Sequence, residues 1–415
     1  MGADGLIGMA QLSNASRSDA ATDAAQLLSR IGYAALALAT PSAATLSSRA
    51  MFVLFPVGVA LLLVAATLDP VAGVGPRLRA LAGSPVTWAA LALFAWAGLS
   101  LLWTPFPVPG AQRLLKIAMT ALAAAAVIVT ARDHLRATDL YLFPIGMLIL
   151  MVTIFALWFA EQQTLEPSSG RIDAGGVAMA MLLFPSMGGL AARGRNGYAR
   201  TLMLLGLVYA FAIGSGPITA ALLAGIAVLS FAVSDLERTM RDVGRAAVAL
   251  VLGAPLLLAL SPTLAHLIFH AKLGSLGAPY PTIAAAASLV LHDLPRLVTG
   301  HGVDTVVRGA DAGLLPTMTP RVGLFEIWYE LGVLGALAAA AGVWFGFRAI
   351  GRAAPRLAPY LAATFAADLT LGFLSEGFAQ MTWITLLAIG AIALGAAARS
   401  QYRTTRPSAA GLARF

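Results

Sequence analysis

The sequence predicts an all-α polytopic membrane protein, with about 12 transmembrane helices and one long exterior loop containing short helices. Three observations predict it. Hydrophobic residues make up 59% of the 415 and charged residues only 11%, with a mean hydropathy of +0.83, far outside the range of soluble globular domains. The apolar residues fall in runs of membrane-spanning length bounded by charge, Pro or Gly. The basic residues lie between those runs in ones, twos and threes, gathered mainly on alternate connections, as the bias of Lys and Arg toward cytoplasmic loops requires.

The hydrocarbon layer is about 30 Å thick and a helix rises about 1.5 Å per residue, so each span needs roughly 17 to 25 residues. Runs of that kind extend over Ile31–Leu46, Met51–Leu68, Val86–Trp103, Leu114–Ala131, Leu140–Ala160, Ala174–Ala192, Thr201–Ile213, Pro217–Val233, Ala246–Leu260, Gly323–Phe347, Pro359–Leu374 and Thr382–Ala398. The first and seventh are the weakest. The chain then divides into a cytoplasmic tail (1–30), spans one to nine (31–260), a long loop (261–322), spans ten to twelve (323–398) and a second cytoplasmic tail (399–415). Arg77 and Arg79, Arg132 and Arg136, Arg193, Arg195 and Arg200, and Arg348, Arg352 and Arg356 mark inner connections. The opposite side keeps Arg49, Arg113, Lys116, Arg171, Lys272, Arg296, Arg308 and Arg321.

Net charge +8 with pI near 10.3 invites nucleic acid as a partner, but the dispersal of the charge is topological and argues against it. The chain has no cysteine, which removes disulfides, thiolate metal sites and a cysteine nucleophile. Its first 28 residues carry Asp4 and no compact basic-then-apolar segment, so no cleaved signal peptide is expected. No HExxH, GxSxG, phosphate-binding loop or dinucleotide fingerprint occurs, and neither a metal nor a cofactor is expected.

Chemistry concentrates between Ser261 and Leu337, where His266, His270, Lys272, His292, Arg296, His301, Arg308 and Arg321 interrupt an otherwise apolar chain. TLAHLIFHAK and PTIAAAASLVLHDLPRLV have helical spacing with apolar faces, suited to the bilayer surface. TGHGVDTVVRGADAGLLPTMTP is too rich in Gly and Pro for one helix and reads as a shaped loop. Glu326 and Glu330 are four apart at the start of the tenth span and share a face. They fit either an anion-favouring helix start within an aromatic belt or a functional pair. Asp368 lies inside an apolar run, where a carboxyl marks a functional site or an internal ion pair. The exterior basic residues Arg113, Lys116, Arg171, Arg296, Arg308 and Arg321 are the more informative set, because guanidinium forks match phosphate geometry.

The segment TPRVGLFEIWYELGVLGAL, from Thr319 to Leu337, resembles the point in the O-antigen ligase and O-antigen polymerase superfamily where a polar loop ends and a helix of form FL-x-x-W-x-E-x-G-x-x-G begins. TGHGVDT at Thr299–Thr305 is similar to that family's Gly-rich turn, GRIDAGGVAMAM from Gly170 to its Arg-started span, and LSEGFAQMTWITLLAIG to its last span. The resemblance implies a bacterial inner-membrane protein with both termini cytoplasmic and the long loop periplasmic. It further implies a glycosyltransferase that joins undecaprenyl-pyrophosphate-linked glycans to a glycan or lipid A-core acceptor, without metal or cofactor. Arg171 matches the family's first-loop arginine and Glu330 its helix glutamate. Two positions depart: Arg321 stands where the family has a histidine, and GSGPI stands for Ser-Arg-Gly after the seventh span.

Arg321 stays protonated at neutral pH and cannot act as a general base. The expected base is therefore His301, Asp304 or Asp311, with Arg171, Arg296, Arg308, Arg321, Arg113, Lys116 and Glu330 binding substrate. These departures point to a divergent exopolysaccharide polymerase. The alternative is a polytopic transporter or flippase of lipid-linked or small polar substrates; it calls for two similar halves, whereas here the long segment follows the ninth span.

Overall fold

The structure is a computed structural model describing residues 20–69, 73–132, 137–163, 170–269, 289–317, 319, 321–375 and 380–399. Both expected tails beyond these limits, His270, Lys272 and the middle of the long loop lie outside the described residues. All regular structure among the described residues is helical. Helix α1 spans 20–46 with a π-helical stretch at Ala35–Ala39. It is followed by α2 (Ser48–Leu68), α3 (Val74–Ala82), α4 (Pro85–Leu99), a 3-10 turn at Ser100–Leu102 and α5 (Pro107–Thr130). Next come α6 (Ala137–Gln162), α7 (Arg171–Ala192), α8 (Asn196–Ala212), α9 (Gly216–Ser234) and α10 (Leu236–Phe269). Short α11 (Leu294–Thr299) and α12 (Thr305–Gly309) precede α13 (Gly323–Ile350), α14 (Ala358–Leu374) and α15 (Met381–Ala398).

Each of the twelve apolar runs is helical, and eight helices among the described residues are long and apolar enough to cross a membrane. This is a multi-pass membrane architecture. Several boundaries differ from the sequence reading: α1 begins at residue 20, inside the expected tail, α5 begins at Pro107 rather than Leu114, and α10 begins at Leu236 rather than Ala246. Residues Val74–Ala82 form a helix, capped by Gly83 donating to the Arg79 carbonyl, where a connecting loop was expected. Helix α10 continues to Phe269 through Pro262, beyond the boundary expected at Leu260. Proline inside a long apolar helix is tolerated because neighbouring groups re-satisfy the backbone it frees.

The bundle is built around α7. Every residue from Gly175 to Leu190 is buried, because α1, α6, α8, α9, α14 and α15 surround it. Small residues let those neighbours approach, as helix association within lipid requires. Around this centre, α9 packs on α14, α10 and α4 pack on α13, and α5 packs on α15.

Ile128 of α5 packs against Gly395 of α15, and Gly188 of α7 against the neighbouring Leu394. Met187 of α7 lies with Leu229 and Val233 of α9, so α5, α7 and α9 start at one end of the bundle and finish at the other. The finishing end is closed by arginine. Arg77 Nη1 donates to the Val129 and Ala131 carbonyls at 3.0 and 2.9 Å, Arg399 Nη1 donates to Ala131 at 2.6 Å, and Arg132 pairs with Asp69. Arg77 and Arg399 thereby satisfy the orphan carbonyls at the end of α5, where the helix dipole favours positive charge.

Candidate functional site

Helix α13 enters with GLFEIWYELG and breaks at Gly332, whose φ of 64° and ψ of −161° are open only to glycine. A Cβ there would lie 2.5 Å from the Val298 carbonyl oxygen. Breaking a helix frees the carbonyls of the turn before the break, and each must find another donor. The Tyr329 oxygen accepts from the His301 N–H at 2.9 Å, the Glu330 oxygen from Gly302 N–H at 2.9 Å, and the Leu331 oxygen from Trp96 Nε1–H at 2.8 Å. Gly300, at φ 74°, permits this crossing, since a Cβ on it would collide with the Glu330 carbonyl.

The segment 300–304 is held equally on its other side. Trp103 Nε1–H donates to the Gly300 oxygen at 3.2 Å, the Val303 N–H to Ser100 Oγ at 3.2 Å, and Thr104 Oγ1–H to the Val303 oxygen at 2.7 Å. The loop is thus wedged between the broken helix and the corner joining α4 to α5.

The wedge closes over a buried charge cluster. Arg113, near the start of α5, reaches Glu326 with Nη2 at 3.2 Å, and Glu330 and Asp304 with Nη1 at 3.4 and 3.5 Å. The arginine side chain is 11% exposed and none of the three carboxylates exceeds 5%. Glu330 also accepts the Val306 N–H at 3.0 Å. Arg308, half exposed, donates from Nε to Asp304 at 2.6 Å. Asp304 itself adopts φ 73°, the non-glycine residue in the left-handed region among those described. Buried charges persist only when paired and hydrogen-bonded, which the spacing of these five side chains achieves.

His301 forms the lip. Its ring stacks on Tyr329 with centroids 4.0 Å apart, and Phe325 continues the stack at 5.2 Å. Its Nδ1 is 3.1 Å from the Tyr329 carbonyl oxygen, which can only accept, so Nδ1 carries the proton and Nε2 the lone pair. Nε2 faces Asp293 at 3.8 Å. Burial pushes the imidazole pKa below its usual 6.5, with Arg296 adding to the fall, while the Tyr329 carbonyl and Asp293 oppose it. Nε2 is therefore a neutral proton acceptor near pH 7.

The fold brings together Arg113, Glu330, Asp304, Arg308 and His301, with Arg296 half-buried on α11 beside them. It leaves others apart. Asp311 is exposed beyond α12, Arg321 is exposed before α13, and Lys116 is exposed on α5. Arg171 is exposed on the first turn of α7, whose packing partners are not the elements of the cluster. Mutual pairing of Arg113 with the carboxylates was absent from the sequence reading, which assigned Arg113 and Glu330 to substrate. Trp96, Trp103 and Thr104 were missed altogether, since one hydrogen bond from each to a distant carbonyl leaves no periodic signal. Among the described residues no group of three or more His, Cys, Asp or Glu is placed to hold a metal ion.

Asp368 is a separate feature. It is 6% exposed midway along α14, and its Oδ1 has no hydrogen-bond partner among the described residues. Comparison of the chain with protein-family models, with curated proteins and with solved structures finds no match.

Proposed function

We propose that the chain is a membrane glycosyltransferase of the polysaccharide polymerase or O-antigen ligase type, transferring an undecaprenyl-pyrophosphate-linked glycan to a glycan or lipid acceptor. In this reading all twelve apolar helices are spans, both termini are cytoplasmic, and the loop around His301 faces the periplasm of a bacterial inner membrane. The observation that carries the reading is His301: its Nδ1–H on the Tyr329 carbonyl leaves the lone pair on Nε2, on the same short segment that carries Asp304 into the charge cluster. The motif resemblance of the same segment supports it.

The chemistry divides among these residues. Nε2 of His301 accepts the proton of the acceptor hydroxyl as its oxygen attacks the anomeric carbon, and the bond to the pyrophosphate oxygen breaks. Undecaprenyl pyrophosphate departs with the electron pair, its charge met by the outward guanidinium groups of Arg308 and Arg296. Fixed charges of this kind are worth roughly 3 kcal/mol each in the transition state. Arg113 is committed to three carboxylates and is a positioning residue, fixing Asp304, which in turn orients Arg308. Of the candidate bases, Asp304 is occupied by two arginines and Asp311 stands away from the cluster, which leaves His301.

The test is glycan transfer by protein in nanodiscs supplied with undecaprenyl-pyrophosphate glycan and acceptor. His301→Gln is expected to lower turnover about 10²- to 10⁴-fold, and Arg308→Ala by about 10²-fold. Wild-type turnover in both would sink the assignment. The transporter reading draws on the broken helix and on Asp368, since interrupted helices and intramembrane carboxyls mark carrier sites. It requires flux across proteoliposomes without a new glycosidic bond.

A further inference from the structure

Asp293 and His301 flank α11, one just before its first residue and the other just beyond its end. Asp293 starts the helix: its Oδ1 accepts the Arg296 N–H at 3.3 Å, and its backbone oxygen accepts the Leu297 N–H at 2.8 Å. Its other carboxylate oxygen, Oδ2, is turned to His301 Nε2 at 3.8 Å. The helix closes where the Gly300 N–H returns to the Arg296 carbonyl at 2.7 Å, and His301 is then fixed by the Tyr329 carbonyl and ring. The separation of Asp293 from His301 is therefore set by α11 and the broken α13, and not by a bond between the two.

At 3.8 Å the pair makes no hydrogen bond. With the imidazole proton on Nδ1, no hydrogen lies between them either. Both facing atoms are acceptors, since a carboxylate only accepts and Nε2 holds a lone pair. Asp293 is 47% exposed and His301 24%, so a ligand can reach both.

Two acceptors side by side call for two donors. Water can serve both, having two protons. A lone alcohol that displaces it has one proton and leaves an acceptor unmatched, which loses affinity. Adjacent hydroxyls on a sugar ring bring one proton to each, and their oxygens lie close enough together to face atoms 3.8 Å apart.

We propose that Asp293 is an acceptor-binding residue and that the acceptor is a sugar presenting a vicinal diol, whose attacking hydroxyl donates to His301 Nε2 and whose neighbouring hydroxyl donates to Asp293 Oδ2. This rests on the glycosyl-transfer reading and narrows it, disfavouring any acceptor with a single isolated hydroxyl. The second bond also selects which hydroxyl is presented to Nε2.

The test is transfer by the full chain in nanodiscs, from undecaprenyl-pyrophosphate glycan to octyl glycosides of glucose, galactose and mannose and to their monodeoxy derivatives. The linkage in the product identifies the attacked hydroxyl. In the wild type, deoxygenation at one position next to that hydroxyl should lower kcat/KM for the acceptor about ten-fold, with the donor KM unchanged. Asp293→Ala should lower kcat/KM for the parent acceptor by a similar factor and treat parent and deoxy acceptor alike. Asp293→Asn, whose amide oxygen keeps the α11 cap, should also treat them alike and serves if the alanine variant misfolds. Equal use of parent and deoxy acceptors by the wild type, or losses that multiply in the Asp293 variants, would overturn this proposal alone. No glycosidic product from the wild type would overturn the glycosyl-transfer reading and this proposal with it.

Discussion

At the scale of single residues, Arg113 has the largest structural consequence. Removing one partner of a buried ion pair leaves uncompensated charge and costs about 3–5 kcal/mol, and Arg113→Gln would take the shared cation from Glu326 and Glu330, while Asp304 keeps Arg308. The expected result is a large fall in Tm, partly restored by adding Glu326→Gln; no fall would mean that the cluster is not held by charge. His301 makes a pH prediction. Its folded pKa lies below 6.5, so on acidification the unfolded chain takes up the proton first. The stability contributed by neutral His301 is complete above about pH 6.5 and is lost as pH falls through the lowered folded value. Thermal unfolding against pH should show that slope below pH 6.5 in the wild type and a reduced slope in His301→Gln. Asp368 gives the opposite sign to Arg113. A buried polar atom without a partner costs about 1–3 kcal/mol, so Asp368→Leu should raise Tm, and activity lost despite that gain would mark Asp368 as functional.

At the scale of elements, α13 is decided at its break. A side chain at Gly332 meets both the left-handed φ and the carbonyl of Val298, so Gly332→Ala should force α13 and the segment 300–304 apart. The expected cost is about 2 kcal/mol or more. Trp96 and Trp103 both donate into this region, so their fluorescence should report its loosening before the bundle unfolds. The run LFEIWYELGVLGAL has an unbroken helical pattern, and a glycine within such a pattern is usually tolerated. Nothing local in it distinguishes Gly332 from Gly335, because the break is stabilised by donors distant in sequence.

At the scale of the whole molecule, the course of the helices puts the charge cluster and the arginines that close the end of α5 at opposite ends. The chain contains no cysteine, so single cysteines can report sidedness directly. In right-side-out vesicles, Asp311→Cys should react with an impermeant maleimide, whereas Leu78→Cys, exposed on α3, should react only after permeabilisation. Labelling of both from one side would overturn the arrangement.

Composition and hydropathy alone determined the class, the twelve helical runs and their approximate limits, because spanning a bilayer constrains length and polarity residue by residue. They also marked His301, Asp304, Glu330 and Arg113 as chemistry-bearing, since charge in an apolar chain is conspicuous. Only the tertiary structure decided which of these meet. Arg113 and Glu330 lie far apart along the chain, and their 3.4 Å contact depends on α4 and α5 packing against a broken α13. Arg171 and Arg321 carry equally plausible signals in sequence and lie outside the cluster, because side-chain type shows what a residue can bind but not what it faces.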